Sequence, residues 1–407
     1  MEDPALYKLA LTRIHGIGSV YTKLLIDRFG DARAVFHAGR SSLARAGIHE
    51  KLVDAILQFS RYAPLEKELQ IQKRKGIRML FFTDPDYPRR LLTMHNFPPL
   101  LFYRGVADLN TEKIISVVGT RRPTDQGRQI TKRLIRELAQ PNLLIFSGLA
   151  FGIDATAHTA ALEHRIPTIG ILGHGLGHLY PGEHSGLARS MQQQGGLLTS
   201  FPYHTKTEVH NFPIRNKLIA GLCDALIVVE TGEVGGSLIT AAEAQDLSKK
   251  IFAVPGRITD EKSRGCLHLI RGQKAELLVS GEQLQASMGW EWPTGRKGQQ
   301  ASLPFPSDAP VPVSTSTSTE HPEHLHQREH PEQPIHAEHP EQPAAAEQHS
   351  IHEQHLLSLL REKETLSIDE LATFSQLNLS SIPLFLLNLE MQGLIRSLPG
   401  KRYRLAH

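Results

Sequence analysis

Four cations, Arg121, Arg122, Arg215 and Lys217, stand where an apolar run or a helix start meets glycine or proline. Guanidinium forks match phosphate oxygens two at a time and also stack on flat rings, while an ammonium adds a point charge. The first pair belongs to Gly119-Thr120-Arg121-Arg122-Pro123, directly after the β-branched run IISVV. A dinucleotide enzyme would carry GxGxxG at this point, with an acidic residue about twenty positions later for the ribose. Neither occurs. The arginines instead put fixed charge at a strand-to-helix turn, whose backbone amides and helix dipole already suit an anion. A solvated basic turn is the bland alternative.

Three more breaks of the same kind follow. In Ser147-Gly148-Leu149-Ala150-Phe151-Gly152-Ile153-Asp154 the acid suits a helix N-cap, and His158 one turn later suits packing better than base chemistry. Gly173-His174-Gly175-Leu176-Gly177-His178 is dense enough in glycine to imply close approach of another backbone or a ligand, and its two histidines lack a third metal ligand at fixed spacing. Gly235-Gly236-Ser237 opens a helix with a hydroxyl and free amides, a cradle for phosphate or sugar. Between the last two lies Phe212-Pro213-Ile214-Arg215-Asn216-Lys217, in which an aromatic ring and cations stand together as unpaired bases require. Asn216 there suits a base edge or a backbone group.

The elements that must position these groups follow from periodicity. From 111 to 285, ISVVG, LLIFSG, TIGILG, GLLTSF, ALIVVE and IFAVPG read as strands alternating with helices. Near-continuous apolarity implies a parallel sheet buried on both faces. Residues 1–63 carry helical spacing broken at Gly16-Ile17-Gly18, Phe29-Gly30 and Ala46-Gly47, which predicts a small helical domain of helix-hairpin-helix or SAM-like type. In the helix-hairpin-helix element a turn such as Gly16-Ile17-Gly18 offers amides to one DNA phosphate; a turn that merely packs is the alternative. Residues 64–110 join this to the sheet through extended, proline-containing pieces.

Residues 286–350 read as a disordered acidic linker, with EHPEHLHQR, EHPEQPIHA and EHPEQPAAA beginning at 320, 329 and 338. Its histidines suit a solvated spacer better than a metal site, since no fold fixes their geometry. Residues 351–407 become periodic again and predict a winged helix-turn-helix. The third helix, in the recognition position, has no Lys or Arg, while Lys401, Arg402 and Arg404 sit near the wing, so duplex DNA and protein contacts stay equally open.

Charge supports this division. The net charge is +3, but residues 286–355 hold 3 Lys/Arg against 10 Asp/Glu, which leaves +10 on the remainder. Two cysteines, Cys223 and Cys266, without CxxC spacing, indicate neither disulfide framework nor zinc site. No apolar run approaches the length of a membrane span and the amino terminus lacks a signal-type core, so a cytoplasmic protein without membrane contact is expected.

GTRRP, SGLAFGIDATAH, GHGLGHLYP, FPIRNKLIAGL, GGSLITAAEA and FAVPG, in this order, closely resemble the DNA-processing protein A (DprA/Smf) family, over essentially all of 100–285. The resemblance implies an α/β fold with an extended Rossmann-like sheet, an all-α N-terminal domain and a C-terminal winged helix. It also implies single-stranded DNA bound in a basic pocket, a homodimer through the Rossmann domain, and loading of the RecA recombinase during natural transformation, with no cofactor and no catalytic residue. Carried onto this chain, the DNA-binding positions are Gly119, Thr120, Arg121, Arg122, Ser147, Gly148, Gly152, Phe212, Arg215, Asn216, Lys217, Gly235, Gly236 and Ser237, with Gly16, Gly18, Lys401 and Arg402 as accessory contacts. A rival reading is a nucleotide phosphoribohydrolase-like enzyme on a Rossmann fold, whose PGGxGTxxE motif is echoed imperfectly by Gly235-Gly236, Thr240 and Glu243.

Overall fold

The computed structural model describes residues 3–290, 351–375, 382–391, 394–398 and 402–406. They fall into two compact units, 1–303 and 304–407. The linker expected over 286–350 lies, from 291 onward, outside the described residues, as does Lys401.

The first unit opens with α1 (Pro4–Leu11), α2 (Ser19–Phe29), α3 (Ala32–His37), α4 (Arg40–Ala44), α5 (Glu50–Leu57) and α6 (Tyr62–Arg74). Carboxylates start two of them: Asp3 accepts from the amide of Ala5 at 3.0 Å and Asp31 from that of Ala34 at 2.8 Å. Their apolar residues meet in a core that also takes in Phe81, Leu100 and Phe102 from the sheet. The bundle is therefore anchored to the sheet rather than tethered to it.

The sheet comprises β1 (Arg78–Phe81), β2 (Leu100–Gly105), β3 (Lys113–Gly119), β4 (Leu143–Ser147), β5 (Thr168–Ile171), β6 (Gly196–Thr199), β7 (Ala225–Val229), β8 (Lys250–Ala253) and β9 (Glu276–Leu277). Its order is β1-β2-β6-β5-β4-β3-β7-β8-β9; β1 and β2 are antiparallel, and the strands from β6 to β9 run parallel. All six runs read as strands are strands. Residues 78–105, within the segment that joins the bundle, extend the same sheet by two strands. Arg90 fixes that extension: its Nε and Nη2 donate to the Asp224 carboxylate at 2.7 and 2.8 Å, and Asp224 in turn accepts the amide of Ile114 in β3 at 2.9 Å.

The crossover helices are α7 (Asp125–Glu137), α8 (Ile153–Glu163), α9 (Ser185–Gln194), α10 (Asn211–Leu222), α11 (Gly236–Asp246), α12 (Arg264–Arg271) and α13 (Gly281–Ser287). Neighbours along a strand point to opposite faces, so Ile114 and Val118 pack with α10 and α11, whereas Ile115 and Val117 pack with α7 and α8. Burying both faces is what makes the strands uniformly apolar. Strand order reverses between β3 and β7, and at such a point the helices leave opposite faces and open a crevice at the carboxyl ends.

The second unit contains α14 (Ile351–Lys363), β10 (Thr365–Ser367), α15 (Ile368–Ser375), α16 (Ile382–Met391), β11 (Ile395–Leu398) and β12 (Arg402–Leu405), with sheet order β10-β12-β11. Leu356, Leu360, Leu371, Leu386 and Ile395 are among the residues that form its core. This is a winged helix, and its third helix, α16, has no Lys or Arg.

Among the described residues no helix is long and apolar enough to cross a membrane.

Candidate nucleic-acid interface

The crevice at the strand reversal is where a Rossmann sheet ordinarily takes a pyrophosphate, on the start of the helix after β3. Here that start is filled from within. Glu230, one residue past β7, accepts the Thr124 amide at 2.8 Å and the Thr124 hydroxyl with its other oxygen. Thr124 itself caps α7 by accepting from Gly127 at 3.0 Å. A Cβ on Gly127 would lie 2.4 Å from the Glu230 carboxyl carbon, so the glycine serves the protein's own carboxylate. Glu230 adopts φ +47°, a conformation that costs a non-glycine residue on the order of 1 kcal/mol and persists only when its surroundings hold it. The Glu230 carbonyl accepts the Thr120 amide at 2.8 Å, which ties the two edges together. Sequence reading passed over Glu230; the signal was an acid at the end of the apolar run ALIVVE.

Other glycines at these edges also answer to neighbouring protein atoms. A Cβ on Gly119 would come 2.0 Å from the Val229 carbonyl oxygen, and one on Gly152, at φ +82°, 2.3 Å from that of Thr120. In the third break the close neighbour is a backbone: the amides of Gly175 and Gly177 donate to Thr205 and Tyr203 at 2.9 Å. Gly236 differs, for nothing lies within 4 Å of its added Cβ, and it is exposed at the start of α11.

The expected contact residues separate into two layers. Arg121, Arg122 and Lys217 are exposed. Phe212 is half-buried, its ring centroid 5.4 Å from the Arg121 guanidinium and 5.6 Å from that of Arg215. Thr120, next to Arg121, and Gly235, next to Gly236, are half-buried. Lys217 reaches Glu243 at 3.5 Å, a partly exposed pair of small worth.

Beneath lies a layer that the sequence reading assigned to the ligand and that the structure uses to hold its own backbone. Buried Arg215 donates from Nη1 to the carbonyls of Gly148 at 2.6 Å and Ile171 at 3.2 Å, joining the ends of β4 and β5, while its Nε has no partner among the described residues. Gly148 has no room for a Cβ, because Arg215 Nη1 stands 1.6 Å from that position. Burial lowers the Arg215 pKa, and Asp154 opposes the shift. Asp154 is buried too, pushed above the usual carboxylate range by desolvation, with Arg215 pulling the other way. It accepts from the amides of Gly148 at 3.1 Å and Ala150 at 3.4 Å, so it shapes the loop before α8. Asn216 donates to the Gly236 carbonyl at 3.3 Å, Ser147 to that of Val117 at 2.6 Å, and Ser237 to the Thr231 hydroxyl at 2.8 Å. The cations therefore differ in kind: Arg121, Arg122 and Lys217 face solvent, whereas Arg215 is structural.

His158 is fully buried, with Nδ1 2.7 Å from the Thr168 hydroxyl and Nε2 without a partner among the described residues. Desolvation, helped by His184 and Arg215, lowers its pKa from 6.5 to about 3. The unfolded chain takes up this proton near its ordinary pKa and the folded one does not. The stability that neutral His158 preserves is thus complete above about pH 6.5 and is lost as pH falls toward about 3, by up to about 1.4 kcal/mol per unit. Urea unfolding at about pH 7 and about pH 5 is expected to show His158→Asn losing about 2 kcal/mol less than the parent chain; equal losses would refute the assignment.

His174 is buried and pairs through its two ring nitrogens with the Gly175 carbonyl and the Tyr180 amide, and among the described residues no group of three or more His, Cys, Asp or Glu could hold a metal. Of the accessory positions, Gly16 takes φ +86° and Gly18 starts α2 without a side-chain cap, while Arg402 is exposed on β12.

Residues 78–289 match the family model for DNA recombination-mediator protein A, and 340–401 match that for the DprA winged helix domain. The chain is 32% identical to Protein Smf of Synechocystis over 98% of both chains. It is 36% identical to the DNA processing protein DprA of Bacillus subtilis over 57% of this chain and 78% of that one. The crystal structure of DprA from Streptococcus pneumoniae superposes with a TM-score of 0.60 at 31% identity, covering 72% of this chain and 99% of that one. Sheet order, the winged helix and these matches agree: the chain belongs to the DNA recombination-mediator protein A family.

Proposed function

We propose that this chain grips single-stranded DNA without transforming it, and passes the strand to the RecA recombinase during natural transformation. One observation carries the reading: Arg121 packs on the half-buried Phe212 ring at an exposed edge, beside a helix start whose anion cradle Glu230 already fills. A cation on an aromatic ring is suited to a phosphate and its unpaired base together. Filling the cradle with a carboxylate disfavours the pyrophosphate of a dinucleotide. The polyanion then runs over Arg121, Arg122, Phe212, Lys217 and the open start of α11 at Gly236, and Arg215, Asn216, Ser147 and Ser237 support it from below. Glu243, which the enzymatic reading needs as a reacting carboxylate, serves here as the partner of Lys217. The protein acts in the cytoplasm as a homodimer through the Rossmann domain.

Anisotropy titration of a labelled oligo-dT with the full chain is expected to saturate and to weaken steeply with salt, as phosphate contacts dictate. RecA is expected to hydrolyse ATP sooner on strands precoated with single-strand-binding protein when the chain is added. No saturable binding, or release of free base from nucleoside monophosphates that is lost in Glu243→Ala, overturns the reading.

A further inference from the structure

The second unit carries a charged lattice on the face of its sheet that turns away from its core. Arg396 on β11 stands directly opposite Arg404 on β12, and Arg404 is opposite Thr365 on β10. One pair along, Arg402 stands between Leu398 and Ser367. Arg396, Arg402 and Arg404 are all exposed, while Leu366, Ile395, Tyr403 and Leu405, which alternate with them, pack into the core. Facing side chains on paired strands lie about 5 Å apart, and like charges so placed repel. Among the described residues none of the three arginines forms an ion pair within 4.0 Å. The neighbouring carboxylate, Glu370, accepts from the Ser367 amide at 2.8 Å and its hydroxyl at 2.9 Å and also senses the charge of Arg402, whereas Arg396 and Arg404 face each other.

Two arginines facing each other across a strand pair, as Arg396 and Arg404 do, cost stability, and such a cost is characteristic of a surface kept for a ligand. We propose that this outer sheet face, rather than the uncharged helix α16, is a docking surface for the phosphate backbone of duplex DNA. Its make-up selects that occupant. The centre of a protein interface is apolar and depleted in charge, whereas this face is arginine and hydroxyl with Leu398 alone as a large apolar member. An unpaired strand is held by an exposed aromatic ring, but the ring of this sheet, Tyr403, turns to the core. Three guanidiniums and the Thr365 hydroxyl on one sheet face fit phosphates, which carry affinity without reading sequence.

The test uses the full chain with a labelled duplex of arbitrary sequence and, separately, with oligo-dT. Arg396→Glu combined with Arg404→Glu is expected to weaken duplex binding at least about tenfold and to flatten the dependence of log affinity on log salt by about 1.8, two phosphate contacts being lost. Oligo-dT affinity is expected to stay within about twofold, since it depends on the first unit under the function proposed above. Arg396→Gln with Arg404→Gln guards against misfolding; it should weaken duplex binding while the melting temperature holds or rises, because repulsion is relieved. Unchanged duplex affinity overturns the proposal and leaves an acidic protein surface as the occupant, and parallel loss of oligo-dT overturns it in favour of a single-strand contact. Arg121→Ala with Lys217→Ala should do the reverse, losing oligo-dT and keeping duplex, so failure of either reading is seen separately.

Discussion

Arg121→Ala combined with Lys217→Ala is expected to lower oligo-dT affinity about a hundredfold. Both side chains are exposed, Arg121 against the half-buried Phe212 ring and Lys217 next in sequence to Asn216, which bonds the Gly236 carbonyl, so each is suited to a charge-assisted contact worth about 1.5 kcal/mol. Two such contacts amount to about 3 kcal/mol, and every 1.4 kcal/mol is about tenfold. The slope of log affinity against log salt should flatten by about 1.4, since each phosphate contact on a single strand releases about 0.7 of a counterion. All sequences should suffer alike, because backbone contacts position a strand and do not read it. A matched variant, Lys132→Ala with Arg136→Ala, removes the same charge from exposed positions of α7 and should cost less than about threefold. If both double variants bind alike, only net charge matters and the proposed edge is misplaced.

The strands were legible because a parallel sheet buried on both faces calls for apolar residues on both, and Ile114 and Val118 serve one core while Ile115 and Val117 serve the other. The two added strands were harder to see. β2 has the same apolar character in LLFY, but its pairing with β6 is antiparallel and joins residues far apart in sequence, Phe102 with Thr199 and Gly105 with Gly196, a relation that no local pattern encodes. Close approach of a backbone or ligand is the expectation only at Gly173 to Gly177, where a backbone does approach; the breaks expected to cradle an anion at Gly119, Gly148 and Gly152 accommodate protein atoms instead, as does Gly127, which the sequence does not single out. A carbonyl of β7 presses on Gly119, a guanidinium on Gly148 and a carboxylate on Gly127. Sequence spacing shows that room is needed and not what fills it.

The same ambiguity divides the cations. Arg215 and Lys217 stand two positions apart in the second turn of α10, with equal claim by type. One faces the carbonyl ends of β4 and β5 and the other faces solvent, because a two-residue step turns a helix through about half a circle. Glu230 completes the contrast. In a dinucleotide fold the start of the helix after the first strand is left open for phosphate; here a carboxylate from the strand across the reversal closes it. Under the proposed function, a DNA strand finds its phosphate sites on neighbouring edges, where exposed Arg121 and Lys217 supply the charge that the closed helix start does not.

Arg215→Met is the substitution expected to cost most stability, about 3 to 5 kcal/mol, and the reason is electrostatic rather than steric. Methionine fills much of the volume, but the carbonyls of Gly148 and Ile171 lose their donor and buried Asp154 loses the cation that offsets its desolvation. Total stabilities of domains are about 5 to 15 kcal/mol, so this is a large share. Asp154 provides the diagnostic. Its carboxyl is already pushed upward by burial, and without Arg215 it should rise further. An acid whose folded pKa is raised penalises the folded state above that pKa, and the penalty disappears as pH falls toward the unfolded value near 3.9. The deficit of Arg215→Met in urea unfolding should therefore shrink from about pH 7 to about pH 5. Adding Asp154→Asn, which keeps an oxygen for the Gly148 and Ala150 amides, should recover more than about 1 kcal/mol at neutral pH. If the two substitutions instead add without coupling, Arg215 is only a carbonyl clamp and the buried charges do not sense each other. If they couple, the loop that carries Gly148 and Gly152 beside the exposed Arg121 is held by a compensated buried pair, and the layer proposed to face DNA is only as rigid as that pair beneath it.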